Sequence, residues 1–254
     1  MNHYRNRCKI LTRQMQKICR INPVMEVLRA SPKRVSKIIV QQDSDNQKIK
    51  EILALARQNH ISLFYASRRH LDRTDRKHQG LVAFIEPKGF SSIDTILEAA
   101  KVPFLVLLDN IQDPQNLGAI IRTAEGAGVD GIILPERRAA GLTDIVYSIS
   151  AGALEYLKVT QVTNLARTMD ELRKKGIWMV GAESSSPKPW YEFDYTGPVG
   201  LVLGSEGKGL RPLVKNKCDE ILSLPLPGNI SSLNVSAAAA IFIYEVVRQR
   251  QQSS

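Results

Sequence analysis

Short apolar runs of about five residues recur through the second half of the chain, each followed by a polar loop and then a stretch with one apolar face. Phe104–Leu108 (FLVLL), Gly131–Leu134, Lys158–Val162, Ile177–Ala182 and Val199–Leu203 read as strands. Ala119–Ala127, the region near Asp144–Ala153 and Leu165–Lys175 read as helices between them. Continuous apolar strands alternating with helices predict an α/β fold, with a mostly parallel sheet covered on both faces.

The first half has a different texture. Asn22-Pro23 opens a helix whose apolar face is Val24, Val27 and Leu28; Ser36–Gln41 reads as a strand and Asn46–Gln58 as a helix turning Ile49, Ile52, Leu53 and Leu55 inward. Ile61–Ala66 and Gly80–Ile85 are further strands, so this is a small α/β module of its own. Before it, Met1–Arg20 is basic, lacks any acid, and spaces Ile10, Met15 and Ile18 loosely for an amphipathic helix. It reads as a basic arm or a frayed leader; organellar targeting is the alternative, weakened by the absence of serine. After the module, Pro87-Lys88-Gly89 breaks the last strand and Ile93–Ala100 forms a short helix before Val102-Pro103. The pattern divides the chain into a basic extension (1–21), a small α/β domain (22–86), a linker (87–103) and a larger α/β domain (104–251).

Three strand ends carry more chemistry than a connector needs. FLVLL runs into DNIQDPQNLG, where Asp113-Pro114 favours a turn and Asn116 stands where it can cap the next helix. Arg122 then falls in the first or second turn of that helix, where a cation opposes the macrodipole, so a functional task is the better explanation of its place. Val199–Leu203 opens into GSEGKGL, whose three glycines permit close approach of backbone to a ligand. The loop lacks the Gly-Lys-Ser/Thr ending of a phosphate-binding loop and the glycine spacing of a dinucleotide fingerprint. Ile221, Leu222 and Leu224 form a short strand leading through PGNISSLN to a helix with a small face, Ala237–Ala240, suited to close packing. Ser231, Ser232 and Asn234 can cap that helix or act on a ligand.

Charge separates the two halves. Residues 1–88 carry 19 Lys and Arg against 7 Asp and Glu, an excess of +12, whereas residues 89–254 carry 16 against 18. The densest positive segment is Ser67–Gln79 (SRRHLDRTDRKHQ), in which Arg68, Arg69, Arg73, Arg76 and Lys77 form a candidate phosphate clamp. A basic module joined to a near-neutral one implies that the first handles a polyanion and the second performs chemistry. Cys8, Cys19 and Cys218 are scattered and form no metal or disulfide pattern, which fits a reducing compartment such as the bacterial cytoplasm. No apolar run is long enough to span a membrane.

The three strand-end stretches, DNIQDPQNLGAIIRTAEGAG, LVLGSEGKGL and LPLPGNISSLNVSAAAAIFIYE, resemble in order and spacing the three motifs of the SpoU (TrmH-like) family of RNA ribose 2′-O-methyltransferases, within the SPOUT superfamily. The likeness covers essentially all of 104–250, and the module before it looks like the RNA-binding domain of the family's ribosomal-RNA members. The resemblance implies a deep C-terminal trefoil knot, S-adenosyl-L-methionine held in a bent shape, a homodimer packed through the knot, and a ribose 2′-hydroxyl as substrate, on a guanosine of 23S rRNA. It further implies catalytic roles for Asn116, Arg122, Glu206, Ser232 and Asn234. Cofactor contacts, largely through backbone, would come from Ala182, Gly204, Leu224 and Leu233. A tRNA-directed member of the same family, or a non-catalytic RNA-binding or ribosome-assembly protein on the same fold, are the alternatives. The departure from the family pattern is the basic lead-in of about twenty residues.

Methyl transfer to a 2′-hydroxyl needs no metal, and no metal constellation is visible. It does need a proton acceptor. The usual histidine is absent from the second half, because His3, His60, His70 and His78 all precede residue 89. Arginine gives up its proton only at great cost, so Arg122 is better suited to fixing a phosphate and stabilising developing charge, with Glu206 or water taking the proton.

Overall fold

The computed structural model describes residues 15–42 and 44–253. The basic stretch 1–14, read above as an arm, leader or targeting segment, lies outside the described residues. Contacts divide the chain into two compact units, meeting between Lys88 and Gly89.

The first unit is a four-stranded sheet with helices. Strand β1 (Gln16–Cys19) is followed by helix α1 (Ile21–Ala30), β2 (Val35–Gln41), α2 (Gln47–Gln58), β3 (Ser62–Ala66), α3 (Arg68–Thr74) and β4 (Leu81–Ile85). The sheet order is β1-β4-β2-β3. β4 runs antiparallel to both its neighbours, and β2 and β3 are parallel, joined by the α2 crossover. β1 corrects the sequence reading. Residues 16–19 are not part of a loosely helical extension: Ile18 pairs opposite Ala83 and is buried, because β4 offers an open edge that a short strand can fill. The pairing overrides a weak local pattern. Ile38 and Val40 of β2 are buried, as are Val24, Val27 and Leu28 of α1 and Ile49 and Ile52 of α2.

The second unit begins with helix α4 (Ile93–Ala99). Residues 89–103, read from sequence as linker, therefore pack with this unit; Ile96 is fully buried in its core with Leu105, Leu107, Met169 and Met179. Then follow β5 (Phe104–Leu108), α5 (Pro114–Gly126), β6 (Gly131–Pro135), α6 (Asp144–Ile149), β7 (Lys158–Val162), α7 (Leu165–Lys174), β8 (Trp178–Ala182), β9 (Val199–Leu203), α8 (Pro212–Lys215), β10 (Glu220–Leu222) and α9 (Val235–Gln252). All five pairings of the six-stranded sheet, ordered β10-β8-β9-β5-β6-β7, are parallel. Every residue of β5, β6 and β9 is buried, as expected for strands covered on both faces.

Helix α5 starts earlier than its apolar face predicts. Asp113 is the N-cap, its side chain accepting from the Gln115 amide at 2.8 Å, and Pro114 occupies the first helical position, where its missing N–H costs nothing. Two expectations change as a result. Asn116 lies inside the first turn and is not the cap. Arg122 sits in the third turn, beyond the reach of the N-terminal partial charge, so the macrodipole argument for its role does not hold.

Candidate active site

Parallel strands expose their carboxyl ends on one edge of the sheet, where ligands of open α/β folds bind. Here β5, β8, β9 and β10 are neighbours, and the loops after all four are tied together. At the end of β5, Asp109 is fully buried and its carboxylate is held by Arg211: Nε donates at 2.7 Å, Nη2 at 2.6 Å, and the Arg211 backbone N–H at 2.9 Å. Arg211 directly follows the glycine loop after β9, so this ion pair pins that loop against β5. The next residue, Asn110, takes a left-handed backbone (φ 66°), which asparagine tolerates, and its amide reaches the Ser205 hydroxyl at 3.4 Å.

The glycine loop is itself closed. Ser205 and Gly209 exchange two backbone hydrogen bonds, at 3.1 and 2.9 Å, leaving Glu206, Gly207 and Lys208 at an exposed tip. Gly204 is required by close approach to backbone and Gly209 by its left-handed conformation. A Cβ on Gly204 would overlap the Gly209 carbonyl group, and one on Gly209 (φ +62°) would fall 2.7 Å from a Glu183 carboxylate oxygen. Glu183 follows β8, and its backbone N–H donates to the Leu222 carbonyl of β10 at 2.9 Å.

The loops after β8, β9 and β10, with the start of α9, wall a cleft of about 300 Å³, within the range of small-ligand sites. All four residues expected to hold the cofactor, Ala182, Gly204, Leu224 and Leu233, line it, as do Glu206 and Ser232. Leu226 and Phe242 add apolar wall that the sequence reading did not single out.

The remaining candidates stand beside the cleft. Asn234 is the N-cap of α9: its Oδ1 accepts from the Ser236 amide at 2.9 Å and hydroxyl at 2.6 Å. Its Nδ2 donates to Asn116 Oδ1 at 2.9 Å. Of the three residues able to cap this helix, Asn234 does so, and Ser231 and Ser232 are left exposed at the cleft. Arg122 is exposed on α5, outside the cleft lining, and makes no hydrogen bond or ion pair among the described residues. It lies six positions after Asn116, a rise of about 9 Å along the helix. Asp109, Arg211 and Glu183 were missed. Each immediately follows a strand or a glycine loop, but nothing local marks which distant partner it meets.

In the first unit, Arg68, Arg69 and Arg73 lie on α3 and Arg76 and Lys77 in the turn after it, all exposed. His78, by contrast, is buried. Its Nδ1 accepts from the Gly80 amide at 2.7 Å and its Nε2 pairs with Asp72 at 3.1 Å, which fixes this turn to α3.

Comparison with known proteins agrees with this arrangement. Residues 103–244 match the model of the SpoU rRNA methylase family, and residues 21–91 match the domain described as RNA 2′-O ribose methyltransferase substrate binding. The chain is 39% identical over 243 residues to the 23S rRNA (guanosine-2′-O-)-methyltransferase RlmB of Pseudomonas putida, covering 94% of this chain and 98% of that one. It is 40% identical to the protein of the same description from Coxiella burnetii, over 94% and 97% of the two chains. Among solved structures it is similar to the SpoU methyltransferase AviRb from Streptomyces viridochromogenes in complex with AdoMet, with a TM-score of 0.79, 27% identity, and 93% and 90% of the two chains covered. With both parts matched in order and a close relative aligned along nearly its whole length, the chain belongs to the SpoU rRNA methylase family.

Proposed function

We propose that this protein transfers a methyl group from S-adenosyl-L-methionine to a ribose 2′-hydroxyl of RNA, on a guanosine of 23S rRNA. The observation that carries the reading is the convergence of the loops after β8, β9 and β10 on one cleft, with Gly204 packed against backbone too tightly for any side chain and Gly209 in a left-handed conformation. A cradle of that kind meets a ligand with backbone groups, and the apolar Leu224, Leu226 and Phe242 beside polar Ser231, Ser232 and Glu206 suit a molecule with a flat base at one end and charge at the other. The bound cofactor supplies an electrophilic methyl on a sulfonium centre.

The chain's own residues do the rest. Arg122, an exposed guanidinium without a partner among the described residues, holds an RNA phosphate and stabilises charge developing on the 2′-oxygen. Glu206, at the tip of the glycine loop, takes the hydroxyl proton directly or through water. Asn116, oriented by Asn234, positions the ribose. Orientation of this kind can supply several kcal/mol of the barrier, so a weak base suffices.

The remaining parts of the reading rest on the family. The segment from β9 to α9 forms the deep trefoil knot. The working form is a homodimer packed through α9, a role supported by the exposed Ile241 and Tyr244 on that helix. In the first unit, the Arg68–Lys77 cluster holds the RNA backbone, and the enzyme works in the bacterial cytoplasm. Among the described residues no helix is long and apolar enough to cross a membrane.

The test is methyl transfer from labelled S-adenosylmethionine to 23S rRNA and to bulk tRNA, with Arg122→Ala in parallel. Label at one 2′-oxygen of 23S rRNA, lost in the variant while cofactor binding persists, is the expected result. Label on tRNA alone overturns the substrate, and label on neither overturns the activity.

A further inference from the structure

One face of the first unit's sheet is only partly covered. On it lie Lys17 and Cys19 of β1, Val82 and Phe84 of β4, Lys37 and Ile39 of β2 and Phe64 of β3, brought side by side by the register. Helix α3 covers one part: Leu71 is fully buried against Cys19 and Val82, with Ile39 and Phe84 at the margin. The Lys17 ammonium donates to the Thr74 carbonyl at the end of α3. Beyond that margin, towards the β3 edge, Phe64 is 53% exposed. The Lys37 ammonium stands 4.8 Å from the Phe84 ring centre and 5.9 Å from that of Phe64, held by both π-faces.

An aromatic ring left half in water on an open sheet face keeps apolar area that a ligand gains by covering. The neighbours identify the occupant. A lysine is fixed between two rings, and on α3, packed on the same face, Arg68, Arg69 and Arg73 are exposed. Rings to receive flat apolar faces, with cations within reach of the groups that join them, are the recognition chemistry of unpaired nucleotides. A protein partner would find an apolar patch beside mainly basic side chains, the one carboxylate of α3, Asp72, being turned to His78.

We propose that the β2–β3–β4 face of the first unit is a stacking platform for single-stranded RNA, with a nucleobase on Phe64 and the adjoining phosphate on Lys37. The platform deepens the reading that this chain acts on RNA and rests on it. It gives the first unit a preference for loops and unpaired ends over duplex, a selectivity that the Arg68–Lys77 cluster, reading only phosphate, cannot supply.

The test measures the affinity of the full chain for a short unstructured RNA oligonucleotide and for a duplex of the same sequence, by fluorescence anisotropy. Wild type is compared with Phe64→Leu, Phe64→Trp and Lys37→Gln. Loss of one base–aromatic stack predicts roughly tenfold weaker single-strand binding for Phe64→Leu, with duplex binding and the salt dependence unchanged. Phe64→Trp restores affinity, and Lys37→Gln weakens binding while flattening the salt dependence. Equal single-strand affinity of Phe64→Leu and wild type overturns the platform alone, as does equal weakening on single strand and duplex. Failure of wild type to bind RNA at all overturns the platform together with the reading beneath it.

Discussion

Asn234 and Asn116, 118 positions apart, share one hydrogen bond of 2.9 Å, and through it the start of α9 is tied to the first turn of α5. Asn234 uses both ends of its amide, its oxygen capping its own helix and its nitrogen reaching the other. The two functions separate by mutation. Asn234→Ala removes cap and bridge and should cost about 1 kcal/mol or more in urea denaturation. Asn234→Asp keeps the cap and loses the donor, so stability should stay near wild type while methyl transfer falls. Equal loss of stability in both variants would refute this division.

The Asp109–Arg211 pair joins the first strand of the second unit to its glycine loop. Arg211→Met strands a fully buried carboxylate, and removing one partner of a buried pair costs on the order of 3 kcal/mol. Because Arg211 is itself 39% exposed, the substitution tests the carboxylate rather than a buried guanidinium. The measured outcome should be a lower urea midpoint together with weaker S-adenosylmethionine binding by calorimetry.

Gly204→Ala places a methyl group on the Gly209 carbonyl, which is backbone and cannot step aside. The loop that lines the cleft has to shift. We expect loss of cofactor binding by tenfold or more on the scale of about 1.4 kcal/mol, in a protein whose far-UV spectrum is unchanged. Wild-type affinity in this variant would show that the cradle does not hold the cofactor.

Two groups in the second unit, the half-buried Cys218 and the fully buried Tyr195, hold their protons tightly. Burial pushes the Cys218 thiol up to about 12, with the nearby Asp219 and Asp109 carboxylates adding to the effect. The Tyr195 hydroxyl, which donates to the Trp190 carbonyl at 2.9 Å, is likewise raised by burial and then by Glu245. Each folded-state value lies above the unfolded one. The associated stabilisation is therefore complete below the unfolded values and lost as pH rises toward the folded ones. The urea midpoint should fall as pH rises from 9.0 to about 12, less steeply in Cys218→Ala. Alkylation of Cys218 at neutral pH should be slower in the folded chain than for a free thiol.

The Arg68–Lys77 cluster predicts a steep salt dependence. About four phosphate contacts on single-stranded RNA give a log–log slope near −3. Replacing Arg68, Arg69 and Arg73 by glutamine should flatten the slope by about 2. An unchanged slope would place the RNA contacts elsewhere.

The elements most legible in the sequence are those buried on both faces. Phe104–Leu108 and Val199–Leu203 have the same bounds in the structure, because a covered parallel strand needs an unbroken short run between polar loops. The start of α5 was misplaced because Gln115 and Asn116 read as loop, although Asp113-Pro114 is a sound cap and first position. β1 was missed for a different reason: QKIC has little strand character until β4 pairs with it. Ala182, Gly204, Leu224 and Leu233, singled out through motif resemblance, line the cleft, whereas Glu183, Asp109 and Arg211 owe their places to tertiary contacts that leave no local mark.

The order of the large sheet has a consequence for how the molecule comes into being. β5 is buried between β6 and β9, and Phe104 pairs with Val199. A chain growing from its amino end therefore presents FLVLL, with one edge bare, long before the strand that closes it has been made. Contacts so distant in sequence form slowly, and an apolar edge left open invites the wrong neighbour. The newborn protein is most vulnerable between the emergence of Leu108 and that of Leu203, and it is in that interval that a chaperone has something to hold.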